Sequence, residues 1–129
     1  MSEREPARSP QAVHAVLEDA FNRADVDAFM AAHEEDAAVV VPPDGRQAHG
    51  LYEIRAAIEP VFALRPRLTS TVRMTLQNGD LALTHARWEL VATGADGQRE
   101  RLTGNGTVVS RRRPDGTWGI VFDNPLSPG

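Results

Sequence analysis

The chain of 129 residues contains no cysteine and no lysine. Without cysteine it has no disulfide, no thiol nucleophile, no iron–sulfur cluster and no thiolate zinc site. Without lysine it cannot form a Schiff base or a phosphate-binding P-loop, because both need a lysine amine. All 14 basic residues are therefore arginine. Whole classes of enzyme chemistry are excluded before any motif is considered.

Long apolar runs are also absent. No window approaches the roughly 18 consecutive apolar residues that a membrane-spanning helix needs. The first residues are polar and charged and lack the apolar centre of a secretory signal. From this pattern we expect a cytoplasmic protein with no membrane partner.

Positive charge is neither abundant nor concentrated. The formal net charge is −4, and the arginines are scattered apart from the run Arg111 to Arg113. Nucleic-acid-binding domains usually carry a concentrated basic face, so we expect no nucleic-acid partner. The length fits one domain. We predict a flexible tail over residues 1–9, a single domain over 10–125 and a short tail over 126–129.

The first half of the sequence has helical periodicity. Ser9 followed by proline resembles the start of a helix. Asp25 resembles the N-cap of a second helix, and the acidic residues 34–36 should end that helix. A short strand over 37–41 stops at two prolines. A third helix is predicted from Gly50, with Pro60 kinking or ending its last turn.

The second half of the sequence alternates with period two, which predicts strands. Four long strands are expected over residues 68–77, 80–92, 100–112 and 117–123, with Asn78-Gly79 as a hairpin signal. Asn105-Gly106 is interpreted as part of an unbroken strand, because two shorter pieces would pair poorly. Helices gathered at the front and antiparallel strands at the back predict an α+β fold.

These elements carry the residues of a known family. The stretches Phe21–Phe29 and Glu35–Pro42, the helix from Gly50, Trp88 and the segment Arg112–Asp123 together resemble NTF2-like proteins. Within that superfamily they are similar to the SnoaL-like branch of the DUF4440 type, which includes ketosteroid-isomerase-like proteins. The resemblance covers about residues 10–125.

The resemblance implies a cone-shaped, cystatin-like fold in which a strongly curved, mainly antiparallel sheet wraps three N-terminal helices around a ligand-sized pocket. It also implies a homodimer packed through the open sheet face. Members of the superfamily include isomerases, cyclases, dehydratases and plain binding proteins, so the fold does not identify the reaction.

The steroid-isomerase mechanism lacks its residues in this chain. That mechanism uses a carboxylate base, a tyrosine and a protonated aspartic acid. By resemblance these three positions correspond to Val41, Leu17 and the stretch Gly106–Val108. None of them carries an acid, a base or a phenol there, so we do not expect this mechanism.

Two residues are candidates for proton transfer in a different mechanism. His85 lies inside an alternating strand, and imidazole titrates near neutral pH. Asp123 follows the apolar run 120–122 near the expected mouth of the pocket. Each residue also has a structural interpretation. His85 is also explained as a hydrogen-bonded residue of a dimer interface or as a solvated residue of the outer sheet face. Asp123 is also explained as a strand-ending residue bonded to backbone.

Four further residues are candidates for ligand binding: Tyr52, Trp88, Asn105 and His49. Trp88 is either a stacking wall or core. Tyr52 either points into the pocket or lies solvated in the first turn of its helix, and His49 is also explained as a loop residue. His14 with Glu18, and His33 with Glu34, lie on predicted helices and are interpreted as exposed surface pairs.

Motifs for cofactors and metals are missing. No two histidines have the spacing of a zinc site, no G-x-G-x-x-G follows a strand, and no G-x-S-x-G occurs. We therefore expect no cofactor and no metal.

Three hypotheses of function remain from sequence. The first is a protein that binds a small, largely apolar molecule, with or without cofactor-independent activity. The second is a cyclase or isomerase of secondary metabolism that uses His85 or Asp123. The third is a structural dimer whose interior is filled by Trp88, Phe62 and Phe122.

Overall fold

A computed structural model describes residues 6–42, 44–94 and 96–127 of the chain. The described residues form three helices and six strands. In chain order they are α1 (Ala12–Asn22), α2 (Val26–Ala31), β1 (His33–Val41), β2 (Arg46–His49), α3 (Gly50–Phe62), β3 (Arg67–Asn78), β4 (Leu81–Thr93), β5 (Arg99–Arg112) and β6 (Trp118–Ser127).

The strands form one mixed sheet in the order β2-β1-β6-β5-β4-β3. Strands β3 to β6 form the predicted antiparallel meander, and β1 joins it by pairing in parallel with β6. The three helices lie on one face of this sheet, with α1 against β3 and α3 against β1. The α+β prediction is confirmed, and so is the unbroken strand through Asn105 and Gly106.

Aromatic side chains hold the helices together. The rings of Phe21, Phe29 and Phe62 are in mutual contact, with centroids of Phe21 and Phe29 5.5 Å apart, Phe21 and Phe62 4.7 Å apart, and Phe29 and Phe62 5.6 Å apart. Such tilted and edge-on contacts are the favoured geometry for aromatic pairs. This cluster joins α1, α2 and α3 at one end of the helical layer.

Arg113 joins the last hairpin to the junction of α2 and β1. Its Nε donates to Glu34 at 2.7 Å, and its Nη2 donates to the carbonyls of Ala31 and His33. Gly119 lies against this ion pair, and a Cβ there would collide with the side chains of both Glu34 and Arg113. The prediction that residues 34–36 end the second helix was wrong. Helix α2 ends at Ala31, and Glu34 already belongs to β1.

Several boundaries differ from the sequence prediction. Helix α1 begins at Ala12, and Ser9 instead accepts a hydrogen bond from the Ala12 N–H at 3.3 Å. The Asp25 N-cap is confirmed by its bond from the Ala28 N–H at 3.0 Å. Strand β2 was missed, because its four mostly exposed residues carry no apolar alternation.

The ends of the folded region reach further than the predicted tails. Ala7 is buried, and its carbonyl accepts a hydrogen bond from the Trp118 N–H at 2.8 Å. Strand β6 extends to Ser127. The rest of the predicted N-terminal tail, residues 1–5, lies outside the described residues. None of the helices formed by the described residues combines the length and apolar character that a membrane crossing requires.

Candidate ligand pocket

A cavity of about 340 Å³ lies between the helices and the inner face of the sheet. Its walls are mostly apolar side chains from α1, α3 and the central strands. They include Leu17, Ile54, Ile58, Val61, Leu90 and Val108. The volume is within the range of small-molecule sites, which are also mostly apolar with a few polar groups. We call this space the cavity.

The register of the sheet places a row of inner-face residues beneath the cavity. Thr84 pairs with Val108, Val108 with Asp123, and Asp123 with Val39. The row crosses four neighbouring strands, so Thr84 and Asp123 lie two strand spacings apart, or about 10 Å. Polar groups thus lie at two points of an otherwise apolar floor.

Asp123 forms part of the cavity wall between Val39 and Val108. Burial raises the pKa of its carboxyl from the ordinary 3.8 to about 7. Within the described part of the chain, its carboxyl has no hydrogen-bond partner. At neutral pH this group is close to half-protonated, which is the state that suits a group that both accepts and returns a proton.

His14 is the residue of the cavity that the sequence analysis missed. Its ring is buried, and its Nε2 lies 2.6 Å from Thr84 Oγ1. Burial lowers the pKa of His14 to about 4, so the ring is neutral at pH 7. The expected surface pair with Glu18 was wrong, because Glu18 instead accepts a hydrogen bond from the Ser70 N–H. The expected pair of His33 with Glu34 was also wrong, because His33 is buried and Glu34 pairs with Arg113.

A signal for His14 was present in the sequence. Leu17 and Phe21 follow it at three and seven residues along α1, and all three line the cavity. A histidine that shares a helix face with two large apolar residues is directed inward with them.

Trp88 also lines the cavity, as its interpretation as a stacking wall requires. Its Nε1 donates to the Pro125 carbonyl at 2.9 Å. The indole lies across the opposite strand at Gly104, where an added Cβ would be 2.7 Å from its Cζ2. Gly104 is therefore the residue that lets this aromatic wall lie close to β5.

His85 lies on the other face of the sheet, outside the cavity. Its Nδ1 is 3.3 Å from Thr107 Oγ1, a neighbour on β5. Asn105 pairs with the exposed Arg87 and shares this outer face. Alternation along β4 turns Thr84, Ala86 and Trp88 inward, so His85 must point outward. The structure does not bring His85 or Asn105 to the cavity.

His49 and Tyr52 also lie outside the cavity lining. The His49 side chain is exposed and lies 3.1 Å from Gln47 Oε1. Tyr52 is 88% exposed. It lies two residues before the buried Ile54, which is about 200° around the helix, so its ring points away from the sheet.

The residues that the resemblance matched to the steroid-isomerase positions line the cavity but carry no suitable groups. Leu17, Val41, Gly106 and Val108 all line it. They offer only hydrocarbon or backbone to a ligand. Among the described residues, no group of three or more His, Cys, Asp or Glu side chains is placed to hold a metal ion.

Comparison with known proteins identifies the family. Residues 13–118 match the SnoaL-like domain family. No curated protein sequence matches the chain significantly.

Solved structures share the fold at low sequence identity. A conserved protein from Planctomyces limnophilus has a TM-score of 0.80 at 19% identity, covering 90% of this chain and 91% of its own. A ketosteroid isomerase-like protein from Erwinia carotovora has a TM-score of 0.78 at 22% identity, covering 92% and 94%. An NTF2-like superfamily protein from Salmonella enterica has a TM-score of 0.72 at 18% identity, covering 91% and 89%.

Proposed function

The chain belongs to the SnoaL-like family with an NTF2-like fold, and from that premise we propose that it binds a small, largely apolar molecule in the cavity. The observation that carries this proposal is the cavity of about 340 Å³ with apolar walls and two polar groups, His14 from α1 and Asp123 from the sheet. Each methylene moved from water into such walls contributes about 0.8 kcal/mol. An apolar molecule of moderate size thus gains enough to bind at micromolar concentration.

The proposal is tested with 2-isopropylnaphthalene as an apolar probe. Trp88 lines the cavity, whereas Trp118 is buried in the core. Titration of ¹⁵N-labelled protein should therefore shift the indole N–H signal of Trp88 and leave that of Trp118 in place. Equal shifts of both signals, or none, would contradict binding in the cavity.

Helix α3 offers a matched pair of variants for this experiment. Ala57 lines the cavity, and the preceding Ala56 is exposed. Ala57→Phe should fill part of the cavity and weaken probe binding at least tenfold. Ala56→Phe adds the same ring to the outside of the same helix and should leave binding unchanged.

A second candidate function is proton transfer beside a carbonyl group, as in a cofactor-independent isomerase or cyclase. The observation that favours it is the Asp123 carboxyl in the cavity wall, whose pKa burial raises to about 7. The carboxylate would take a proton from the carbon next to the carbonyl, giving an enolate and the carboxylic acid, and this acid would return a proton to carbon.

Hydrogen exchange tests this activity without knowledge of the natural substrate. 2,6-Diacetylnaphthalene carries an acetyl group at each end, and in D₂O the methyl protons of the acetyl group that reaches Asp123 should exchange faster with the protein than without it. Asp123→Asn keeps the shape of the side chain but removes the base, so it should abolish the acceleration. An unchanged rate in the variant would remove Asp123 from the reaction.

We also propose that two copies of the chain associate through the outer face of the sheet. Large apolar side chains are exposed there: Leu76 is 64%, Phe122 is 55% and Met74 is 49% exposed. Such a row of apolar groups is typical of an interaction surface. Phe122→Arg should convert a dimer to a monomer in sedimentation. A wild-type monomer at micromolar concentration would contradict this proposal.

The third hypothesis required a filled interior, and its expectation about Phe122 was wrong. Phe122 pairs with Val109, whose side chain is on the outer face, so Phe122 lies on that face too. The next residue, Asp123, turns inward beside Val108. Phe62 is buried in the aromatic cluster of the helices. These placements favour the two functions that use the cavity.

A further inference from the structure

We propose that His14, held by Thr84, donates a hydrogen bond from Nδ1 to a carbonyl oxygen of the bound molecule, and that this molecule is uncharged. This inference rests on the proposed binding function and names the class of ligand: a neutral, mostly apolar carbonyl compound. It assigns His14 as a specificity-determining residue of the cavity.

The hydroxyl of Thr84 has two acceptors within reach, and their distances differ. The contact between Thr84 Oγ1 and His14 Nε2 is 2.6 Å, whereas the hydrogen bond that the hydroxyl can donate to the Val108 carbonyl is long, at 3.5 Å. A distance near 2.6 Å is ordinary for a hydroxyl donor and short for an N–H donor. The hydroxyl of Thr84 therefore donates to Nε2, and Nε2 is the acceptor.

The neutral ring of His14 keeps its one proton on Nδ1. A neutral imidazole has one N–H, so an accepting Nε2 leaves the proton on Nδ1. Among the described residues, no group accepts a hydrogen bond from Nδ1. Because His14 lines the cavity, the group that can satisfy this donor is an acceptor atom on a bound molecule. A carbonyl oxygen is the simplest such acceptor.

The charge of the cavity walls disfavours an ionised ligand. Among the described residues, those that line the cavity include two carboxyl groups, Asp123 and Glu100, and no arginine. A carboxylate or phosphate ligand would lose its hydration without meeting a cation and would face these two acids. An ammonium ligand would also lose hydration against mostly apolar walls, and pairing with Asp123 would require the ionised carboxylate that burial disfavours. Ionised groups are costly to bury under such conditions, so an uncharged ligand is favoured.

The two polar groups of the floor are well separated. Thr84 and Asp123 are about 10 Å apart across the floor, and the ring of His14, from α1, contacts Thr84. A carbonyl held at His14 leaves the rest of the ligand to extend along Val108 toward Asp123. The proposed anchor and the proposed acid thus contact different parts of one molecule.

Four naphthalene probes separate the parts of this inference. 2-Acetonaphthone carries the carbonyl, and 2-isopropylnaphthalene has nearly the same shape without it. 2-Naphthoate adds a negative charge, and 1-(2-naphthyl)ethylamine adds a positive one. Equilibrium dialysis at pH 7.5 gives each dissociation constant for the wild type, and we expect both charged probes to bind at least tenfold more weakly than the ketone.

The His14→Phe variant tests the anchor. It should weaken binding of 2-acetonaphthone by about fivefold to tenfold, the usual effect of one lost hydrogen bond, and should leave binding of 2-isopropylnaphthalene within a factor of two. The infrared carbonyl stretch of bound 2-acetonaphthone should lie at lower frequency in the wild type than in the variant. A merely structural role of His14 would not move this band.

The outer face of the sheet supplies the control. His85 and Thr107 form a second histidine–threonine contact there, at 3.3 Å and outside the cavity. His85→Phe and Thr107→Val repeat the substitutions at that place and should leave the affinities for both probes unchanged. Thr84→Val keeps the His14 ring but removes the hydroxyl that holds the ring proton on Nδ1. It should weaken binding of the ketone less than His14→Phe does and leave binding of the hydrocarbon unchanged. This second variant keeps the test informative if His14→Phe does not fold.

Each outcome decides a separate point. Equal losses for the ketone and the hydrocarbon in His14→Phe, or an unmoved carbonyl band, would overturn the anchor. Binding of 2-naphthoate or the amine as tightly as the ketone would overturn the requirement for an uncharged ligand. If the wild type binds none of the four probes, the proposed binding function fails and this inference fails with it.

Discussion

Asp123 makes the stability of the protein depend on pH in a direction that can be worked out. Burial raises the pKa of its carboxyl from 3.8 to about 7 in the folded state. A raised pKa means that the folded protein holds its proton more tightly than the unfolded chain. The stabilising contribution is therefore fully present below pH 3.8 and is lost as the pH rises through 7.

The magnitude follows from the size of the shift. A shift of one pKa unit corresponds to about 1.4 kcal/mol, so the full loss is about 4 kcal/mol. Asp123 lies in the wall of an open cavity and is only partly buried, and water there reduces the effect. We expect the difference to be about 2–4 kcal/mol.

The Asp123→Asn variant isolates this contribution. Urea unfolding of the wild type and the variant at pH 4 to 8 gives the free energy of unfolding of each. The variant should gain about 2–4 kcal/mol relative to the wild type between pH 4 and pH 8, because it has no carboxyl to ionise. The contributions of all other titratable groups cancel in the difference.

A second variant controls for packing. Asp123→Leu also removes the carboxyl but fills the cavity wall differently. Its stability relative to the wild type should follow the same pH dependence with a constant offset. A difference that stays flat from pH 4 to 8 in both variants would refute the claim that Asp123 is held in an apolar wall.

Three further predictions concern other parts of the fold. Burial lowers the pKa of His14 and His33 to about 4. The stability that each neutral ring contributes is therefore present above pH 6.5 and is lost as the pH falls through 4. Replacing either histidine by Phe should make the free energy of unfolding in urea fall by about 3 kcal/mol less on acidification than in the wild type. Gly104→Ala should displace Trp88, cost about 1–3 kcal/mol in urea unfolding and shift the Trp88 emission to longer wavelength. Arg113→Ala should cost about 2–4 kcal/mol in thermal unfolding, because it leaves a partly buried carboxylate and two carbonyls without their donor.

Each of these predictions has an outcome that would contradict it. For the histidines it is an unchanged loss of stability between pH 6.5 and 4. For Gly104 it is a variant with wild-type stability and emission. For Arg113 the control is Arg112→Ala, since Arg112 forms an exposed pair with Asp80 that should contribute at most about 1 kcal/mol. Equal costs at the two arginines would refute the role of Arg113 at the α2–β1 junction.

Most of the architecture could be predicted from the sequence, because it depends on local patterns. The strands of the meander alternate over ten or more residues, and turn residues such as Gly79 separate them. Strand β2 could not be predicted in this way. Only Ala48 among its four residues is buried, so its pairing with β1 leaves no period in the sequence.

The hairpin between β3 and β4 illustrates the limit of a turn signal. Asn78-Gly79 predicted the hairpin, but Asn78 pairs with Leu81 and the two-residue loop is Gly79 and Asp80. The positive φ of +62° at Gly79 is what the turn requires. A turn signal thus locates a hairpin, while strand pairing decides which two residues form the loop.

The candidate site was harder to predict, because both faces of β4 carry polar and apolar residues. His85 and Thr84 are neighbours in sequence and point to opposite sides, so alternation alone does not say which one meets the cavity. Helix packing decides it, since α1 covers the face that carries Thr84 and places His14 on it. That contact joins residues 70 positions apart and has no local signal.

The most direct test of the central claim is titration of the ¹⁵N-labelled protein with 2-acetonaphthone. We predict saturable binding that shifts the Trp88 indole N–H signal, leaves that of Trp118 unmoved, and is weakened at least tenfold in Ala57→Phe but not in Ala56→Phe. Absence of any shift, or equal behaviour of the two variants, would contradict the claim that this cavity holds a small, largely apolar molecule.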